Sequence, residues 1–182
     1  ALASKHIVMG KQSSIGPIDP QFGGLAATAL LQEFERIRQE IAADPKNALL
    51  WQPVLQKLSP GFITECENAI KWAEQMALRF LMGNMLQRVR SKKKKAAYIV
   101  KHLTEKTTTM NHGRHIGVEE AKRIFGRYVV ELESDQMLQD AVLTVHHAAV
   151  LTLQGTGAYK MIENHNGRAF MQVAKQEAVR AG

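Results

Sequence analysis

The 182 residues can bury one good core with room for an appendage, and the prior is a single domain. The single cysteine excludes an internal disulfide framework, and no apolar run reaches the length of a membrane span. Lysine and arginine number 24 against 17 acids, a net charge of +7. Much of that excess falls on Arg88, Arg90, Lys92, Lys93, Lys94, Lys95 and Lys101, an interval without a carboxylate. Such an interval attracts phosphates, anionic lipid heads or acidic protein segments, and is most often a solvated helix face or a mobile junction. Tyr98 is the one aromatic nearby that could stack on a base, so specific nucleic-acid recognition is not expected.

Ala1-Leu2-Ala3-Ser4 resembles the tail of an apolar helix, and no initiator methionine precedes it. The expectation is a fragment or a processed chain. A strand follows over 6–9, and Gly10 ends it. The segment from Lys11 to Gln21 places two hydroxyls, a glycine and two prolines around one carboxylate, Asp19. Pro17 fixes its own φ, and Pro20 biases Asp19 away from the helical region, so this carboxylate sits on a stiff loop. A loop of that kind suits a binding or catalytic role, while the plainer reading makes Asp19 a cap for a helix near Pro20.

A helix is expected over 25–43, with Leu30, Phe34, Ile37 and Ile41 on one face, closed by Asp44-Pro45. A short apolar segment follows over 48–58. Ser59-Pro60 predicts the cap and first residue of a long helix running to about Val89. Its apolar stripe includes Phe62, Cys66, Ala73, Ala77, Phe80 and Leu81, and Cys66 reads there as a core filler. Ser91 and the lysines are expected to break it, with a further helix over 96–105 carrying Tyr98, Ile99 and Leu103 inward. This helical middle, about 25–106, reads as a packing or oligomerisation arm.

Residues 107–115 are polar and irregular, with His112 and His115 flanking Gly113-Arg114. A short helix over 116–124 carries acids at its start and cations at its end, matching the macrodipole. A strand over 128–132 comes next. Then a helix over 135–153, capped by Ser134 or Asp135, presents Leu138, Val142, Val145, Ala149 and Leu153 on one face. His146 and His147 point about a hundred degrees apart on that helix and cannot chelate one metal together, so one is expected partly buried and the other exposed. Strands at 161–163 and 169–171 flank Asn164-His165-Asn166-Gly167, whose Asn-Gly favours a tight hairpin.

Taken together, the segment from Ile7 to Gln21, His112-Gly113-Arg114-His115-Ile116, Val118-Glu119-Glu120-Ala121 and Ile162-Glu163-Asn164-His165-Asn166-Gly167 resemble the serine dehydrogenase proteinase family. That family is related to the Clp protease and signal-peptide peptidase A serine proteases. The resemblance covers nearly the whole chain and is least specific in its helical middle. It implies an α/β fold of the ClpP/crotonase-like kind, with residues 1–182 as a C-terminal portion, and peptide-bond hydrolysis by a Ser, Asp, His triad.

In that family the serine starts a helix shortly before the Ile-Val-Met-Gly strand, which here would fall upstream of Ala1. Asp19 falls where the Clp relatives keep their histidine, and His112 falls beside the position of their acid. The two partners are thus exchanged: His112 is the expected base and Asp19 its orienting acid. A serine hydroxyl is weak until an imidazole takes its proton and a carboxylate holds that imidazole. Convergence requires the loop around His112 to fold over Asp19. His115 is the alternative base, and Ser13 or Ser14 the substitute nucleophile. No cofactor or metal is implied. The expected partners are a peptide or protein substrate and further copies of the chain, with possible contact to a membrane surface, in the cytoplasm or at the cytoplasmic face of a membrane. The alternative functions are a non-catalytic assembly module and an acyl-CoA-type crotonase relative.

Overall fold

The computed structural model describes residues 1–104 and 115–174. His112, the expected base, and the charged tail from Lys175 lie outside the described residues. The chain is mixed α/β, predominantly helical with small sheets, and divides into two compact units, Ala1–Glu131 and Leu132–Gly182.

In the first unit, β1 (Ile7–Met9) runs parallel to β4 (Val129–Glu131), pairing Ile7 with Val129, Val8 with Val130 and Met9 with Glu131. Strand alternation turns Ile7 and Met9 into the core and leaves Val8 and Val130, opposite one another, exposed on the other face. Between these strands come the short hairpin β2 (Gln21–Phe22) and β3 (Leu25–Ala26), then α1 (Ala27–Ala43), α2 (Asn47–Leu55), α3 (Phe62–Gly83), α4 (Lys92–Thr104) and α5 (Val118–Phe125). The core lies where the C-terminal half of α3, α4 and α5 meet the parallel pair, and includes Leu81, Leu86, Ile99, Ile116 and Phe125, all without exposed surface.

Helix α3 begins later than its sequence signal. Ser59 makes no cap; its carbonyl accepts the Phe62 N–H across a turn that has Pro60 and Gly61 at its centre. Gly61 has φ 84° and ψ −7°, the third position of a type II turn, so Pro60-Gly61 is a turn pair and not the first turn of the helix. The helix stops at Gly83, short of the expected Val89, because Asn84 leaves helical geometry and its side-chain amide donates to the Phe80 carbonyl. Cys66 is fully buried as expected, and burial pushes its thiol pKa up, helped by the neighbouring Glu65.

The lysine run does not break a helix; it opens one. Lys92 to Lys95 form the first turn of α4, and Ala96, Ile99, Val100 and Leu103 supply a buried i, i+3, i+4, i+7 stripe. Lysine is a good helix former, and this inward face outweighs the unfavourable charge at the helix N-terminus. Tyr98 departs from the expected stripe: it is exposed and stacks on His102, with ring centroids 4.1 Å apart. Lys95 Nζ instead sits 5.1 Å above the buried Tyr128 ring, a cation–π contact between α4 and the chain entering β4.

Helix α1 behaves as its periodicity predicts, with Ile37 buried and Leu30, Phe34 and Ile41 half-buried. Helix α2 is held from outside its apolar face: Trp51 Nε1 donates to Glu40 of α1 at 2.8 Å, and the Arg36 guanidinium lies 5.3 Å from the Trp51 ring. Leu49 and Leu50 are left about three-quarters exposed.

The second unit contains α6 (Gln136–Gly155) and an antiparallel hairpin of β5 (Ala158–Glu163) and β6 (Ala169–Val173). Asp135 caps α6 as expected, accepting the Leu138 N–H at 3.0 Å. The expected apolar face is not buried, for no residue of α6 is, and Val145 is 71% exposed. His146 and His147 are both exposed, where one was expected to be partly buried. The hairpin turns through three residues, His165 to Gly167. Asn164 bonds Arg168 across it, and Gly167 has φ 70°, the glycine bulge of a three-residue loop rather than a two-residue turn.

Lys122 of α5 is bound by Glu131 of β4 and Glu119 of its own helix, and these bonds, Glu131 first, raise its pKa above the ordinary lysine value of 10.5. A lysine favoured in the folded state stabilises fully below its unfolded value and ceases to do so as pH climbs through its folded one. Lys122→Met is therefore expected to be less stable than the parent at neutral pH, with the difference shrinking above about pH 10.5; urea unfolding across that range measures it. Phe125→Ala, which empties a fully buried site, should cost about 3 to 5 kcal/mol, read as a lower urea midpoint at unchanged slope.

Candidate functional site

The loop from Gly10 to Gln21 is closed by one turn within itself and tied to the rest of the first unit at three points. Ser13 closes its first turn, accepting the Gly10 N–H on its hydroxyl at 3.0 Å and donating its own N–H to the Gly10 carbonyl at 2.8 Å. Ile15 and Ile116 form an isolated antiparallel bridge, each N–H donating to the other's carbonyl at 3.0 Å. Ile18 N–H donates to the Leu103 carbonyl at the end of α4 at 2.9 Å, and Ala27 N–H donates to the Pro20 carbonyl at 2.7 Å. Asp19 thus lies between two anchored neighbours, and the stiffness expected from Pro17 and Pro20 has a hydrogen-bonded counterpart.

Asp19 is half-buried, with its Oδ1 out of solvent. It lines a cavity of about 360 Å³ between this loop and α3, together with Ile18, Phe22 and Trp72. Phe22 packs edge-on against Phe62, with ring centroids 5.7 Å apart, which seats the loop against the start of α3. Trp72 is 65% exposed beside the cavity.

The alternative residues fare differently from one another. Ser13 is spent on its turn. Ser14 reaches the imidazole of His115, 101 positions later, with Oγ 3.1 Å from Nδ1. The structure therefore places Asp19 in the cavity and joins Ser14 to His115 at the bridge, and His115 does not line that cavity. Only the bridge makes this difference visible, since no local pattern relates residue 14 to residue 115. Among the described residues there is no cluster of three or more metal-ligating side chains, and no helix is long and apolar enough to cross a membrane.

No protein-family model, no curated protein and no solved structure matches the chain.

The Ile15–Ile116 bridge should be separable from the fold's helical core. Ile15→Pro removes the N–H that donates to Ile116 and leaves an apolar side chain in place. The expected result is faster hydrogen exchange at the Ile116 amide with little change at Ile99 and Val100 in α4, measured by peptide-level exchange and mass spectrometry.

Proposed function

We propose that this chain is part of a serine endopeptidase of the ClpP/crotonase-like class, akin to the serine dehydrogenase proteinase family that its opening and later motifs resemble. Asp19 is its orienting acid and His112 its base. The nucleophile is the serine that such relatives carry at a helix start ahead of the opening strand. The observation that carries this reading is the anchoring of the Asp19 loop to both sides of the segment bearing His112: Ile18 bonds Leu103 before it, and Ile15 bonds Ile116 after it. Leu103 and Ile116, remote in sequence, are thereby bonded to the loop that carries the carboxylate. The parallel pairing of β1 and β4 and the helices packed on one face of it are in keeping with that class of fold.

In the reaction, His112 takes the serine proton as the hydroxyl attacks the peptide carbonyl, and returns it to the departing amine. Asp19, held by its neighbours' backbone bonds, selects the imidazole tautomer and offsets the charge of the imidazolium. The cavity beside Asp19, walled by Phe22 and Trp72, gives an extended apolar segment of substrate a place to lie.

A second reading, an assembly module without the reaction, is favoured by the second unit, where Tyr159, Ile162 and Phe170 of the hairpin and Val145 of α6 are more than half exposed. Both readings include association with further copies of the chain. Both also accommodate a membrane surface, for which Leu49, Leu50 and the lysines of α4 are suitable, and a cytoplasmic or membrane-peripheral setting.

The test is peptide turnover by the intact protein. Asp19→Asn and His112→Ala are each expected to lower kcat/KM on a fluorogenic peptide by about 10³- to 10⁴-fold, with circular dichroism and melting temperature unchanged. Cleavage at the parental rate by both variants removes the triad assignment, and an intact protein without peptidase activity favours the assembly module.

A further inference from the structure

The contact between Ser14 and His115 is set up by the backbone pairing of their neighbours. Ile15 and Ile116 face each other across the antiparallel bridge. Extending that register by one residue sets Ser14 across from Gly117 and Gly16 across from His115. Side chains alternate along extended chain, so these four residues share the face opposite to Ile15 and Ile116. Ile116 has no exposed surface, which commits that shared face to solvent. Ser14 and His115 are accordingly both exposed.

Each of the two has a glycine as its direct partner. Among the described residues, a Cβ added at Gly16 or at Gly117 would meet no atom within 4 Å. The serine and the imidazole meet on the diagonal, 3.1 Å apart, and both are exposed. Ser13, with the same side chain one position earlier, is held by Gly10 and takes no part. Two residues beyond His115, Gly117 is the N-cap of α5 and has no side chain of its own to cap it. The amides of the helix's first turn have no acceptor within the helix, and that end favours developing negative charge.

We propose that Ser14 and His115 form a nucleophile–base pair that accepts acyl groups from small activated esters, an activity distinct from the Asp19–His112 peptidase reading and independent of it. In the tautomer carrying its proton on Nε2, His115 Nδ1 accepts the Ser14 hydroxyl. Attack forms the Oγ–acyl bond as that proton passes to Nδ1. The ester C–O bond breaks, and the leaving alkoxide takes the proton from the imidazolium. Water, giving a proton to the same nitrogen, then cleaves the acyl-serine to the carboxylic acid and restores the hydroxyl. A fluorophosphonate stops at the first stage: the Oγ–P bond forms, the P–F bond breaks, and fluoride departs.

The experiment treats the 182-residue chain with a fluorophosphonate and locates the adduct by tryptic mass spectrometry. One adduct at Ser14 is expected, absent in Ser14→Ala. It should form at least tenfold more slowly in His115→Gln, which keeps a hydrogen-bond acceptor for Ser14 and supplies no base, so an unchanged melting temperature there excludes loss of folding as the cause. Ser13→Ala should label at the parental rate. No adduct at Ser14, or an adduct that forms equally fast in His115→Gln, overturns the proposal. Peptide cleavage by the intact protein that depends on Asp19, with no adduct at Ser14, would leave the peptidase reading standing while this one fails; labelling at Ser14 without peptide cleavage would do the opposite.

Discussion

Two reciprocal hydrogen bonds, between the backbones of Ile15 and Ile116, decide how the chemically interesting part of the first unit is arranged. A buried peptide group without a partner is costly, so a segment whose side chain is committed to the core must find acceptors and donors nearby. Ile116 is committed in that way, with no exposed surface, and the backbone that answers it belongs to the loop after β1. The pairing closes a loop of about a hundred residues, an entropic cost that rises only slowly with length and is offset by the helical core between. Residues on the solvent side of the bridge acquire neighbours as a result, and Ser14 meets His115 there.

The same loop has a second attachment with a different consequence. Ile18 bonds the C-terminal end of α4, Pro20 accepts from the first residue of α1, and Phe22 packs on Phe62. These contacts turn Asp19 toward α3, into a cavity whose walls are largely apolar. One stretch of chain thus serves two places, the exposed contact of Ser14 with His115 and the cavity beside Asp19. The prolines at 17 and 20 make this economical, because a loop with little freedom when unfolded loses little on being pinned.

The second unit has another character. It combines a 20-residue helix with a five-residue-plus-six-residue hairpin, and large apolar side chains remain exposed on both. A two-stranded hairpin is marginal by itself in water and needs a helix or further chain to pack against. That is the physical ground on which self-association enters the functional proposal.

Much of the architecture could be read from residue order. The strand at Ile7–Met9, the amphipathic helix α1, the Asp135 cap and the pair of strands around Asn164 to Gly167 follow from period, capping chemistry and turn chemistry, which are local. Where local signals competed, the winner was set elsewhere. Pro60-Gly61 could open a helix or make a turn, and the lysines before Ala96 could end a helix or begin one; the position of the buried stripes relative to α3 and α5 decided both. The rigidity of the Asp19 loop was legible from its prolines. Its partners were not, because hydrogen bonds between residues a hundred positions apart leave no mark on either segment. The amino-acid order determined which stretches would be helix, strand and stiff loop, since those depend on neighbours within a few residues. Tertiary packing alone decided that Ser14 faces His115, that Asp19 turns to a cavity and that no residue of α6 is buried, since each depends on what the folded chain brings alongside.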